Sequence, residues 1–268
     1  MVARMGEEGL LMELDYSKIP NAENIDERYL HPAYDTEQKY SLPYMWGTTG
    51  IIYNTTMVDK APTSWMDLFT TDLKGQVLIF DNPRDCIGLA LKALGYSFNT
   101  TNKDEIAEAT DLLIKQKEDG IVQAYVMDQI FDKMINNEAA MGTYYAGDYL
   151  TMVEENPDLA FVQPEEGSNL FVDAMCIPTC SKNYEDALAF INFMCRDDIV
   201  LRNCEETGYS CPSATALEEM DEEMSADPVA YPGADILDKA ETFGGLPEET
   251  LTFYDHEWIR ICLAKVKY

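Results

Sequence analysis

A single carboxylate, Asp173, interrupts an apolar segment, LFVDAMCIP, that has the composition of a buried strand. Placing a charge there costs free energy unless a cation or hydrogen-bond donors compensate it. Phe171 precedes it by two residues, so both side chains point to the same face of the strand. A carboxylate beside an aromatic ring suits an ammonium group, through a charge-assisted hydrogen bond and a cation–π contact. The alternative is an Asp at a strand end whose carboxylate accepts hydrogen bonds from local backbone amides.

A second group of polar residues follows the apolar segment QVLIF, at a predicted strand-to-helix turn. Pro83 suits the first turn of the helix, and Asp81 or Asn82 suits its N-cap. Asp85 lies inside the first turn, where the helix dipole stabilises an acid. Because open α/β sheets bind ligands in crevices beyond the carboxyl ends of their strands, Asp85 is also a candidate ligand contact.

A third candidate group, Tyr144, Tyr145 and Asp148, ends another predicted strand, GTYYAGDY. Successive strand residues point to opposite faces, so one tyrosine at most faces a crevice and the other packs in the core. Asp148 is either a ligand contact or the cap of the next helix. Tyr44 and Trp46 share one face of an earlier strand, a pattern more typical of core residues.

The charge of the chain restricts its partners. Of its 268 residues, 19 are Lys or Arg and 49 are Asp or Glu, which gives a net charge of −30. Such a surface repels nucleic acid and anionic lipid and attracts cations, although most of these charges only keep the protein soluble. No apolar run approaches the roughly 20 residues that span a bilayer. The first residues lack the order of a signal peptide and have the pattern of the second half of a helix that stops at Gly9.

The sequence contains no recognisable catalytic or phosphate-binding motif: GxSxG, HExxH and glycine-rich phosphate loops are absent. With two histidines and no CxxC pair, a zinc site is excluded, and we expect neither a metal nor a cofactor. The cysteines lie mostly in apolar contexts and are interpreted as core residues without disulfide bonds. One catalytic hypothesis stays open, an acidic hydrolase that uses Asp85 and Asp173 as paired carboxylates.

Predicted strands and helices alternate along the chain, which indicates an α/β fold with parallel strand pairing. The predicted strands are 41–54, 76–80, 122–126, 139–149, 159–164 and 169–178. The main predicted helices are 85–96, 99–120, 128–137, 149–155, 184–195, 197–208 and 248–267. The acidic run 218–230 is interpreted as a solvated helix face or loop.

The order of several motifs resembles the spermidine/putrescine-binding proteins of ABC transporters over essentially the whole chain. The motifs are SLPYMWGTTGIIYN, SWMDLF, KGQVLIFDNPRD, LGYSFNT, FVDAMCIP, SKNYEDALAFINFM and ETGYSCP. The resemblance implies a two-lobed α/β fold of the type II periplasmic-binding-protein kind, which closes on a polyamine and docks on a membrane permease. It also implies a periplasmic or cell-surface location. In that family an export signal and the first strands precede the position of Met1, so we expect an incomplete amino-terminal lobe.

The resemblance also assigns ligand contacts, residue by residue. Asp173 matches an acid that grips an amine, and Asp85 matches a ligand-facing Glu. Phe171 and Tyr145 fall on positions usually occupied by Trp. Asn82 falls where an acid is often found. These departures leave the choice of polyamine open, and another cationic or small organic ligand is the alternative.

The same resemblance predicts how the chain divides between the lobes, with crossings near residues 48, 172 and 217. Lobe 1 would contain 1–48 and 173–217, and lobe 2 would contain 49–172 and 218–268. Gly244 falls near a Gln that contacts ligand in some members of the family. We expect a monomer, with domain swapping as an alternative because the first lobe would be incomplete.

Overall fold

The computed structural model describes residues 1–266, which form a mixed α/β protein. The strands are β1 (Leu42–Asn54), β2 (Val77–Phe80), β3 (Val122–Val126), β4 (Met141–Tyr145), β5 (Leu159–Val162) and β6 (Leu170–Met175). The helices are α1 (Val2–Glu7), α2 (Asp67–Thr70), α3 (Pro83–Ala93), α4 (Lys103–Glu118), α5 (Gln129–Ile135), α6 (Ala146–Glu155), α7 (Tyr184–Met194), α8 (Asp197–Thr207), α9 (Ala214–Glu219), α10 (Glu222–Ser225), α11 (Ala234–Leu237) and α12 (Glu248–Leu263). Short 3-10 turns lie between α1 and β1.

Most predicted elements are confirmed to within a few residues, and the boundaries that differ have local causes. Helix α6 begins at Ala146 instead of Tyr149, so Asp148 lies in its first turn and is not its cap. Helix α12 ends at Leu263, after which the backbone becomes extended. The predicted end of that helix, Lys267, lies outside the described residues.

The prediction of parallel pairing is right for only part of the sheet. Strand β2 is parallel to β3 and β4, whereas β1 pairs antiparallel with β4 and β5, and β6 also pairs with β1. The apolar pattern of a strand reports its burial and not its direction, so the sequence could not distinguish these pairings. Gly50 in β1 is in close contact with β5, since a Cβ built on it would lie 2.5 Å from the Val162 carbonyl oxygen.

The described chain contains two compact units. Unit 1 comprises 1–47, 171–231 and 242–245, and unit 2 comprises 48–170, 232–241 and 246 onward. Residues 218–231, which the prediction placed in the second lobe, therefore belong to unit 1. The reason is apolar packing: Met220 is buried with Val200, and Tyr231 packs against the same cluster. Residues 242–245 also return to unit 1.

Each unit has its own apolar core. The core of unit 2 surrounds β2 and includes Trp65, which is fully buried and donates from Nε1 to the Gly167 carbonyl at 2.9 Å. Unit 1 has two smaller clusters, one around Leu42 and one around Met45. The cysteines are all free; those buried are Cys86, Cys195, Cys204 and Cys211, while Cys176 is half-buried and Cys180 and Cys262 are exposed. None of the helices in residues 1–266 has the length and hydrophobicity of a transmembrane helix.

Candidate functional site

Asp173 lies in β6, within unit 1, with its side chain exposed to solvent. Within residues 1–266 its carboxylate has no hydrogen-bond or ion-pair partner. The alternative in which local backbone amides satisfy it is therefore wrong. Neighbouring protein atoms nevertheless displace part of its hydration, and this desolvation raises the pKa of the Asp173 carboxyl above its ordinary value.

The aromatic ring beside Asp173 is fixed by the backbone of β1. A Cβ built on Gly47 would lie only 2.7 Å from Cζ of Phe171, so the ring occupies the space that any other residue would fill. The Tyr209 ring meets Phe171 edge to face, with 5.7 Å between the ring centroids. Phe171 is half-buried, which leaves part of it accessible.

Two further tyrosines interact with the Asp173 carboxylate. Burial raises the pKa of Tyr34 to about 12, and the charge of Asp173 contributes to the rise. Burial also raises the pKa of Tyr44, again with a contribution from Asp173. The Tyr34 hydroxyl donates to the Val172 carbonyl at 3.4 Å, which fixes it beside β6.

The sequence did not identify these three tyrosines as site residues. Tyr34 lies in a loop whose sequence has no helical or strand periodicity, so the pattern does not indicate a functional role for it. The sequence pattern predicts that Tyr44 and Trp46 are both core residues. The structure agrees for Trp46, which is 3% exposed and stacks on Tyr29 with 5.2 Å between the ring centroids. Tyr209 belongs to the motif ETGYSCP, where a role for it could have been considered.

In unit 2 the candidate acids lie at the start of α3. Asn82 is the N-cap, since its Oδ1 accepts from the Asp85 backbone N–H at 2.8 Å, whereas Asp81 is exposed. Burial raises the pKa of the Asp85 carboxyl. The Asn82 side chain, the charge of Arg84 and the Asn169 side chain oppose this rise. Asp85 is therefore a desolvated acid that is only partly compensated.

Tyr145 lies at the same edge of the sheet as this turn. Strands β2 and β4 are parallel neighbours, so Phe80 and Tyr145 end them together, with 5.4 Å between their ring centroids. Tyr144 points elsewhere: it is 3% exposed and its hydroxyl donates to Asp128 Oδ1 at 2.8 Å. The prediction that one of the two tyrosines packs in the core is confirmed, with Tyr145 as the half-buried one.

The structure thus assembles the predicted residues into two separate sets. Asp173 and Phe171 belong to unit 1, and Asp85, Asn82 and Tyr145 belong to unit 2. Gly244 is half-buried and belongs to the 242–245 segment of unit 1. Over the described part of the chain, no group of three or more His, Cys, Asp or Glu residues is arranged to hold a metal ion.

Each unit therefore presents a desolvated carboxylate together with aromatic rings. In each unit, a carboxylate together with aromatic rings is a combination suited to a small organic molecule with cationic groups.

The chain belongs to the family of bacterial extracellular solute-binding proteins, whose model matches residues 1–232. It is similar to a spermidine/putrescine-binding periplasmic protein of Escherichia coli K12, with 34% identity over 241 residues that cover 90% of this chain and 69% of the relative. The family resemblance inferred from the sequence is confirmed.

Solved structures agree with this assignment. A spermidine/putrescine ABC transporter protein from Listeria monocytogenes is 40% identical, with a TM-score of 0.92 over 98% of this chain and 81% of that one. A spermidine/putrescine substrate-binding protein from Streptococcus pneumoniae, solved with calcium and HEPES, is 38% identical with a TM-score of 0.88 over the same shares. The predicted α/β solute-binding-protein fold is therefore confirmed.

Proposed function

We propose that this protein binds a polyamine of the spermidine/putrescine class outside the cytoplasm and delivers it to the permease of an ABC transporter. The observation that carries the proposal is the Asp173 carboxylate, which is desolvated, without a partner among the described residues, and adjacent to the Phe171 ring. The printed names of the relatives from Escherichia coli and Streptococcus pneumoniae support the same ligand class.

The chemistry of the ligand fits the two sets of residues. At neutral pH a polyamine carries an ammonium group at each end of a flexible methylene chain. Within its own unit, each of the carboxylates of Asp173 and Asp85 is suited to an ammonium group, through a charge-assisted hydrogen bond. Phe171 and Tyr145 supply ring faces for the methylenes and for cation–π contact. The charge of a bound ammonium group would lower the pKa of the neighbouring acid and so oppose the effect of desolvation.

The proposed role is binding and transport, not catalysis. The family is one of solute-binding proteins, and the descriptions of both family and relatives favour a periplasmic or cell-surface location. The ligand-loaded protein would be the form that the permease recognises. We expect the protein to act as a monomer, which light scattering of the free and loaded protein can measure.

The direct test is calorimetric titration of the chain with a panel of ligands of similar length. Putrescine and spermidine should bind. Their neutral analogue 1,4-butanediol should not, because it offers no charge to the carboxylates. 4-Aminobutyrate should bind weakly at most, because one end carries a negative charge. Binding of 1,4-butanediol or 4-aminobutyrate in preference to both polyamines, or no binding of either polyamine, would overturn the proposal.

A further inference from the structure

Unit 1 contains a cavity of about 510 Å³ that is separate from the candidate site. All of its lining residues lie between Glu13 and Leu42, so the cavity belongs to this one unit. Asp173 and Phe171, the candidate site residues of the same unit, do not line it. Pockets that bind small organic molecules commonly have a volume in this range. The cavity is therefore large enough for a ligand of its own.

The floor of the cavity is apolar. Leu14, Ile19 and Leu42 line it, and these residues are at most 7% exposed. They belong to one of the buried apolar clusters of unit 1. Ala22, in the 3-10 turn Pro20–Asn24, packs against the same cluster and also lines the cavity. Because burial of apolar surface is favourable, this floor favours a ligand with an apolar body.

One wall of the cavity is a loop that hydrogen bonds hold in place. The buried Asp35 carboxylate accepts from the three consecutive backbone N–H groups of residues 39–41, each at 2.9 Å. Two lining residues, His31 and Gln38, are joined because the Gln38 Oε1 accepts from the His31 N–H. Both have a positive φ, 54° and 52°, which residues other than glycine adopt only where their surroundings impose it. A wall that is already fixed loses little conformational entropy when a ligand binds.

Carboxylates lie at the mouth of the cavity and not on its floor. Glu13 and Glu23 line the cavity and are exposed to solvent. Within residues 1–266, neither of these two carboxylates forms a hydrogen bond or a salt bridge. Two other charged lining residues, Glu37 and Lys39, form a salt bridge with each other. The mouth therefore attracts a positive charge, and an ammonium group there can form charge-assisted hydrogen bonds.

We propose that this cavity binds an organic monocation, in which one ammonium group is attached to a compact apolar body. The body lies on the apolar floor, and the ammonium group lies at the mouth beside Glu13 and Glu23. The acids that line the cavity are all exposed, so the floor offers none to a second ammonium group. A diamine would have to bury that group without a partner, which costs free energy. The cavity therefore discriminates against the polyamines proposed for the Asp173 site.

The test is calorimetric titration with phenethylamine, with its neutral analogue phenethyl alcohol, and with hydrocinnamate, an anion of similar size. Phenethylamine should bind, the alcohol should bind more weakly, and the anion should not bind. Saturating putrescine should leave the affinity for phenethylamine unchanged, because the two ligands occupy different sites. No binding of phenethylamine, its displacement by putrescine, or equal affinities for the amine and the anion would overturn the proposal.

Two variants locate the ligand in the cavity. Glu23→Gln removes a charge at the mouth and should weaken phenethylamine binding about threefold, since exposed ion pairs are weak. It should leave binding of the neutral alcohol unchanged. Ala22→Leu adds apolar atoms where the body of the ligand lies, so it should weaken binding of both the amine and the alcohol about tenfold or more. Neither variant should alter the affinity for putrescine, and thermal unfolding verifies that both are folded.

The matched control is Glu27→Gln, which removes another exposed acid of unit 1 that does not line the cavity. It should bind phenethylamine as the unaltered protein does. If Glu23→Gln and Ala22→Leu also bind phenethylamine unchanged, the cavity is not the site and the inference is overturned, whatever the result with putrescine. If the unaltered protein binds phenethylamine but neither polyamine, and both variants weaken that binding, the proposed function fails while the cavity site stands.

Discussion

The Asp173 carboxylate is held where its ionisation works against the folded state. Desolvation raises its pKa, and no cation or hydrogen-bond donor in the described residues offsets that effect. A site that carries such a cost in the absence of ligand gains more from a cation when one binds. The arrangement is typical of a functional residue and not of a stabilising one.

Because ionisation of Asp173 is unfavourable in the folded state, we expect Asp173→Asn to stabilise the protein in the absence of ligand. A carboxyl whose pKa is raised on folding favours the folded state below its unfolded pKa, near 3.9, and loses that contribution as pH rises through the folded pKa. The free energy of unfolding at pH 7 should therefore be higher in the variant, and the difference should vanish near pH 3. Urea unfolding at both pH values measures it.

Asp186→Asn is the control for that experiment, with the opposite expected sign. Asp186 is an exposed acid in the first turn of α7, where the helix dipole stabilises its charge. Its substitution should lower the stability at pH 7 by a few tenths of a kcal/mol. A loss of stability in Asp173→Asn at pH 7 would contradict the account of the Asp173 environment.

Part of the site could be predicted because strand alternation is visible in a sequence. Asp173 and Phe171 are two residues apart in a strand, so the pattern alone placed them on one face. Tyr34 could not be predicted in the same way, because it reaches β6 from an irregular loop.

A further residue-scale question is whether Asn82 contacts ligand or only caps α3. Asn82→Asp separates the two, because Asp is an equally good N-cap and adds a charge beside Asp85. The thermal stability should change little, whereas affinity for putrescine should increase if Asn82 faces the ligand. Asn82→Ala removes the cap and should cost about 1 kcal/mol of stability. Unchanged affinity in Asn82→Asp would restrict Asn82 to capping.

At the scale of elements, β1 positions the Phe171 ring because one of its residues, Gly47, has no side chain. The Phe171 ring lies against Gly47, where even a methyl group would overlap it. Gly47→Ala should therefore displace the ring and weaken putrescine binding several-fold.

Gly245→Ala is the matched control in the same unit, since a Cβ built there meets its nearest neighbour, Ala3, at an ordinary 3.6 Å. It should leave the affinity unchanged. Equal dissociation constants for Gly47→Ala and the unaltered protein, measured by calorimetry, would show that Phe171 does not depend on this contact.

The elements themselves were largely predictable, and their pairing was not. Pro83 and Asn82 define the start of α3, and Gly120 follows the end of α4, because caps and breakers act locally. The antiparallel pairing of β1 with β4 and β5 depends on contacts between distant segments. The assignment of residues 218–231 to unit 1 also depends on contacts with distant segments. The sequence shows there only an acidic run with few apolar side chains, so it does not predict these contacts.

At the scale of the whole molecule, the net charge of −30 should accelerate capture of a cationic ligand. Salt screens such long-range attraction, with a Debye length of about 10 Å at 0.1 M and 3 Å at 1 M. The association rate constant for spermidine, measured by stopped flow, should therefore fall as NaCl increases from low to high concentration. It should fall less for putrescine, which has fewer charges. A rate that does not depend on salt would contradict this contribution of the acidic surface.

The most direct test of the central claim, that the Asp173 carboxylate binds an ammonium group, is the affinity of Asp173→Asn for putrescine by calorimetry at pH 7. We expect the affinity for putrescine to fall at least about 30-fold, since removing one partner of a desolvated charge pair costs about 2 kcal/mol or more. Asp186→Asn should bind as the unaltered protein does. Tight putrescine binding by the unaltered protein together with an unchanged dissociation constant in Asp173→Asn would contradict the account.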